Sequence, residues 1–461
     1  MRDLEFILLG NSKNTYRAFI PLLFSIVFGL ISNSVHPLLF VALILISNYL
    51  SVRLLIKYNL GLIPCSLFLF VVSPGVIQSV IWHLSGGGIS VALLGNDYLN
   101  SQTVNFVGVI STISGASSVA GFLIMPSILK LKYSKINNND ISILISFVCF
   151  IICGILYARS TGESIISTGG YISDSQESKS TSIGTLNVFF FFFFSYFFIF
   201  KYWIGNITKY ELYFYFFATS LVVLYIAIRG VRQDSIGFLL AFYAIIKSKK
   251  YITKEKSIYK FVLFLFFISW IGSVITGLLR ESLTIENLLS IILNPFALFT
   301  IISSNYVIFN MNTASMTIGT LNVLPLKIQD QGYLYGKTFI DWLPRTLPEI
   351  IYPNRPLGPE FSMNHNNEWF GWGGIHETSE IYWNFGIIGI IFIPMIISYI
   401  INSMGKSFLR STSPFSAIPI VWLIMMPRWS WYQLFALYKS TFVMIILGIF
   451  VISILNKAKI K

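Results

Sequence analysis

From Trp369 the chain reads Trp369-Phe370-Gly371-Trp372-Gly373-Gly374-Ile375-His376-Glu377-Thr378-Ser379-Glu380, a run of rings and glycines that closes on two carboxylates and an imidazole. Upstream stand Asp341-Trp342-Leu343-Pro344-Arg345 and Tyr352-Pro353-Asn354-Arg355-Pro356. Turn residues, aromatic rings, acids, arginine and histidine together are the makeup of a carbohydrate-handling site: rings stack on sugar faces and carboxylates take hydroxyl protons. Glu380, His376 and Glu377 are the candidate catalytic groups, and Trp369, Trp372 and Tyr382 the candidate sugar platforms. His376 and Glu380, four residues apart, share a face if the following helix starts early. A single His or Glu in such a place is more often structural than catalytic. Two acids, a histidine and several arginines near one surface weaken that plainer reading.

The arginines are the second constellation. Arg229 and Arg232 in YIAIRGVRQDS lie three residues apart at the end of an apolar run, and on a helix they share a face. The plainer reading has both reaching for lipid headgroups or pairing with Asp234. With Arg345, Arg355 and Arg428 they form a set of planar, five-donor cations, suited to gripping phosphate oxygens two at a time as lysine cannot. Arg428 sits among Trp429, Trp431 and Tyr432, rings that an interfacial aromatic belt explains equally well. HNNEWFGWGGIHE lacks the compact HExxH spacing and no DxD occurs, so no metal is expected. No Walker loop or Rossmann fingerprint appears, and no cofactor is expected.

What must position these residues is a membrane bundle. The 461 residues are 55% hydrophobic and 11% charged, with a mean hydropathy of +0.73, more apolar surface than a soluble core hides. The apolar runs have the length of spanning helices and are apolar on every face, unlike barrel strands. Candidate spans fall near 18–35, 37–56, 60–81, 104–129, 141–158, 185–204, 211–228, 234–247, 260–279, 379–401, 414–426 and 435–455. The expected fold is therefore all-α, a polytopic bundle of about 12 spans, with 10 or 11 if two short candidates fail. The first span is expected to be uncleaved, because no small-residue cleavage site follows it.

With the N-terminus cytoplasmic, 21 of the 32 Lys and Arg fall on the inner side, almost all in short loops. The chain then divides into a membrane domain (1–279), a large extracytoplasmic loop (280–378) and a second membrane domain (379–461). All the candidate site residues face the outer side, where Arg outnumbers Lys. The apolar stretch Leu288 to Phe309 is expected to lie on the outer leaflet, since a crossing there would invert the last three spans. The net charge of +13 sits in loops and forms no basic face, which excludes a nucleic-acid partner. Cys65, Cys149 and Cys153 all fall in apolar runs and read as packing residues.

These features resemble bacterial O-antigen polymerases, the Wzy type of repeat-unit polymerase. The likeness lies in the many-span layout with one large outer loop and in Arg229-Gly230-x-Arg232. It extends to Leu343-Pro344-Arg345 with Asn354-Arg355-Pro356, and to a helix start bearing Ser379, Glu380, Tyr382, Asn384, Phe385 and Gly386. The resemblance implies the lipid-carrier-dependent, GT-C-like polymerase/ligase fold in the bacterial inner membrane, with both termini cytoplasmic and the active face periplasmic. It implies a metal-independent glycosyltransferase acting on undecaprenyl-diphosphate-linked oligosaccharides, beside membrane lipid and a chain-length regulator of the polysaccharide co-polymerase type. Arg229, Arg232, Arg345, Arg355 and Arg428 would bind the diphosphate. The rival readings are an O-antigen ligase and a polysaccharide flippase or other transporter.

Overall fold

In the computed structural model the apolar runs among the described residues fold as helices, and no strand occurs among those residues. The structure describes residues 15–58, 62–87, 100–124, 294, 324–341, 343 and 376–408, with short pieces at 425–426, 437–438, 441–442 and 445–446. The helices are α1 (Thr15–Ala18), α2 (Ile20–Ile31), α3 (Pro37–Lys57), α4 (Leu62–Leu84), α5 (Ser101–Ile124), α6 (Lys337–Asp341) and α7 (Glu377–Phe408). A further helical stretch covers 324–331. Among the described residues, four segments are long and apolar enough to cross a membrane: Tyr16–Ser34, Pro37–Lys57, Ser101–Ile124 and Glu377–Asn402. They coincide with the spans expected near 18–35, 37–56, 104–129 and 379–401, and α4 occupies the span expected near 60–81. The expected spans from 141 to 279 lie outside the described residues, as does nearly all of the last two.

Local chemistry sets the helix starts. Pro37 opens α3 with its φ already helical and no N–H to satisfy, and the His36 ring caps the turn, Nδ1 accepting from Leu38 N at 3.3 Å. Asn100 and Thr103 cap α5 reciprocally: Thr103 N donates to Asn100 Oδ1 at 2.9 Å, and Asn100 N to Thr103 Oγ1 at 3.1 Å.

α5 is the hub. It packs on α2, α3, α4 and α7, and 89% of its span window is buried against 33% for the first two spans. Those outer helices instead present Leu23, Val27, Leu30, Leu38, Leu45 and Tyr49 outward, as lipid-facing helices do. The sequence of α5 explains its place: Gly108, Ser111, Gly115 and Ser118 recur at helical spacing, and small residues let backbones approach closely where apolar burial gives no drive. At Gly121 the approach is so tight that a Cβ would run into the Met395 carbonyl of α7.

Polar side chains join the helices at the same surfaces. Ser79 of α4 donates to the Val104 carbonyl at 2.9 Å. Asn105 of α5 donates to Ser32 O at 3.2 Å, which leaves its Oδ1 to accept from His83 Nε2 at 2.7 Å. Asn402 of α7 donates to Phe122 O at 2.8 Å. Phe106 meets Tyr382 near the starts of α5 and α7, and Phe122 meets Asn402 toward their ends, so the two helices lie side by side and point the same way.

Candidate functional site

α7 begins at Glu377, two residues before the expected span, so His376 and Glu380 do bracket a first helical turn. Glu380 N donates to His376 O at 3.1 Å, and Thr378 N donates to His376 Nδ1 at 3.2 Å. The imidazole is thus the helix cap. A ring whose Nδ1 lone pair accepts a backbone N–H carries its neutral-form proton on Nε2 and keeps no open lone pair. That arrangement suits His376 to donating or positioning and leaves proton abstraction to the acids.

His376, Glu377, Thr378, Ser379 and Glu380 are all 2% exposed or less. Five polar residues in succession are buried where a spanning helix starts, and both carboxyls lie in the first turn, where unpaired N–H groups favour negative charge. Glu377 and Glu380 interact electrostatically. Among the described residues, Glu377 Oε2 and Thr378 Oγ1 are buried without a hydrogen-bond partner. Buried polar atoms left so are uncommon and call for an explanation, of which a catalytic role is one; Asn48 Oδ1 in α3 and the Oγ atoms of Ser111, Ser114 and Ser117 in α5 share the condition.

Nine residues into α7 the helix breaks. Gly386 has φ 60° and ψ −151°, a backbone region essentially restricted to glycine. The break leaves the carbonyls of Trp383 and Asn384 without their α-helical donors, and the segment after the 324–331 stretch supplies replacements. Leu334 N donates to Trp383 O and Tyr335 N to Asn384 O, both at 3.0 Å, while Trp383 Nε1 donates to Gly332 O at 3.3 Å. The fit is reciprocal. A Cβ on Gly386 would lie 3.3 Å from the Tyr333 ring, and one on Gly336 would lie 3.0 Å from Phe385 Cζ. At about 1.5 Å rise per residue, the docked segment meets the helix roughly 9 to 14 Å from its start. A stretch expected to face water therefore carries buried side chains at Leu324, Lys327 and Thr338.

Asn384 bolts the junction, donating from Nδ2 to Thr338 Oγ1 at 2.7 Å and to Glu380 O at 2.8 Å while Oδ1 accepts from Thr338 N at 3.4 Å. Next to Thr338, the Phe339 ring lies 5.7 Å from Phe385 and 6.3 Å from Tyr438. Tyr438 in turn interacts electrostatically with both Glu380 and Glu377. It brings a phenol from a separate part of the chain within electrostatic range of the acid pair.

Of the expected site residues, the structure brings together Glu380, His376 and Glu377, with Tyr382 one turn along. Tyr382 is half-buried, its ring edge-on to Phe106 at 5.0 Å and 6.3 Å from Tyr333. Much of this ring is spent on helix packing, which leaves less of it for a sugar. Arg229, Arg232, Arg345, Arg355, Arg428, Trp369 and Trp372 lie outside the described residues. Among the described residues, no three His, Cys, Asp or Glu side chains converge as metal ligands would. Sequence reasoning missed Tyr438 and Thr338 and gave Asn384 no role. The available signal was a polar side chain inside an otherwise apolar run.

Comparison with protein-family models, with curated proteins and with solved structures finds no match to this chain.

Proposed function

We propose that the chain is a membrane glycosyltransferase that polymerises undecaprenyl-diphosphate-linked oligosaccharide repeat units into O-antigen or a related surface polysaccharide. The observation that carries this is the Glu377 carboxyl: buried, beside Glu380, and with one oxygen lacking any protein partner among the described residues. A carboxylate kept from water in this way is poised to accept a hydroxyl proton.

In the reaction, an acceptor sugar hydroxyl gives its proton to Glu377 and its oxygen bonds to the anomeric carbon of the donor glycan. The bond from that carbon to the phosphate oxygen breaks, and undecaprenyl diphosphate leaves with the electron pair. Arg229, Arg232, Arg345, Arg355 and Arg428 are assigned to the diphosphate, where fixed guanidiniums stabilise the charge that develops. Glu380 and Tyr438 orient the base, His376 caps the helix that carries it, and Trp369, Trp372 and Tyr382 contact sugar. The site faces the periplasm.

One observation favours a second reading, a transporter of the lipid-linked glycan: a spanning helix broken at Gly386 beside buried acids resembles the discontinuous helices of transport sites. A single experiment separates the two. Glu377→Gln, Glu380→Gln and Tyr438→Phe are expressed in a strain lacking the chain, and the lipopolysaccharide ladder is resolved. Glu377→Gln is expected to leave core bearing one repeat unit, with Tyr438→Phe giving shorter or sparser ladders. Bare core with glycan accumulating on the inner side sinks the polymerase reading, and bare core without that accumulation indicates a ligase. A normal ladder in Glu377→Gln removes Glu377 from the mechanism.

A further inference from the structure

We infer that Asn384 is a positioning residue, clamping the outer segment around Thr338 to the helix that bears the acid pair and so fixing the geometry of the site. This rests on the glycosyl-transfer reading only for its activity readout.

The Asn384 side chain is fully buried and fully committed. Both Nδ2 hydrogens are used, on Thr338 Oγ1 and Glu380 O, and Oδ1 takes Thr338 N. No other side chain of this size does all three: aspartate cannot donate, glutamine is a methylene too long, and serine is too short. The two partners belong to the two halves of the site. Glu380 supplies one carboxyl and its carbonyl is one end of the clamp. Thr338 lies in α6, and the chain leaves α6 directly into Leu343-Pro344-Arg345. The neighbouring Phe339 also sets its ring 6.3 Å from that of Tyr438, which lies within electrostatic range of Glu377 and Glu380. One amide thus links the acids, the tyrosine and the start of the arginine-bearing segment. An inert filler would need no such valence, because Leu334 N and Tyr335 N already hold the loop by its backbone.

The test uses the full chain in membranes, with Asn384→Ala, Thr338→Val, Thr338→Ser and the double variant Asn384→Ala/Thr338→Val. Thr338→Val keeps the shape and removes the hydroxyl acceptor, so it remains informative if Asn384→Ala misfolds. Docking is read by limited proteolysis within residues 324–343, and activity by kcat and KM on purified lipid-linked repeat units. Thr338→Ser should match the parent in both. Thr338→Val and Asn384→Ala should be cleaved faster and lose about tenfold or more in kcat/KM, mostly in kcat, with no further loss in the double variant. Unchanged cleavage and kinetics in both single variants overturn the assignment, as do multiplying losses in the double variant or a Thr338→Ser as impaired as Thr338→Val. Faster cleavage in a chain whose parent polymerises no glycan leaves the clamp standing and removes the polymerase.

Discussion

Gly386→Ala should convert a broken helix toward a continuous one. At φ 60° and ψ −151° an alanine is strained by about 1–3 kcal/mol, and its Cβ meets the Tyr333 ring at 3.3 Å. Relaxing to helical angles removes that strain and lets Ile387 N and Ile388 N reclaim the carbonyls of Trp383 and Asn384. Leu334 N and Tyr335 N then lose their acceptors, so the exchange at these two carbonyls is roughly neutral; the Asn384–Thr338 and Trp383–Gly332 bonds oppose undocking equally in parent and variant, and the added backbone strain sets the difference between them. A bias of about 1–3 kcal/mol is roughly a five- to 150-fold shift toward the undocked state. Hydrogen exchange on the intact protein in nanodiscs reads this directly. The amides of Leu334 and Tyr335 should exchange faster by that factor, while those of α5 stay protected. Gly332→Ala is the comparison: its φ is also positive, at 74°, so the backbone strain is similar, but nothing lies within 4 Å of the added Cβ and Gly332 meets α7 only through its carbonyl, which accepts from Trp383 Nε1. Unchanged protection of Leu334 and Tyr335 in Gly386→Ala would refute the account of the break as held open by glycine.

Further outcomes are expected elsewhere. Gly121→Val pushes a branched side chain into the Met395 backbone; overpacking of this kind costs about 1–3 kcal/mol, visible as a lower apparent melting temperature in detergent. A reporter fused after residue 330 should read extracytoplasmic, and a cytoplasmic signal would overturn the assignment of the 280–378 segment to the outer side.

Hydropathy and charge located the starts and ends of α2, α3 and α4 and the start of α7 within a few residues, because span length and polar flanks are local properties; α7 runs on to Phe408, past the apolar run that ends near 401. Its central place makes α5 different. The recurrence of Gly108, Ser111, Gly115 and Ser118 was open to inspection, yet hydropathy scores a small residue and a large one by polarity and is blind to how closely a backbone can approach. The spacing of His376 and Glu380 placed them on one face on condition that α7 starts before 379, and that condition is met at Glu377. The break at Gly386 did not, since an isolated glycine in an apolar run reads as a minor weakening. Its unusual dihedrals exist only because residues 332–336, some fifty positions upstream, donate to the freed carbonyls. Tyr438 was beyond reach for the same reason: it comes within electrostatic range of Glu377 and Glu380 across about sixty residues of chain, and no period or motif joins them.

The shared direction of α5 and α7 imposes a rule of parity. Where both helices traverse the bilayer, the chain leaves α5 at one face and must enter α7 at the other, so it crosses an odd number of times between Ile124 and Glu377. The five spans expected from the sequence between residues 141 and 279 would give that count. A sixth traverse by Leu288 to Phe309 would make it even and turn α7 upside down beside α5. Two helices in contact near one site thereby constrain the path of about 250 residues between them, as a stitch seen twice on one side of a cloth constrains the thread beneath it.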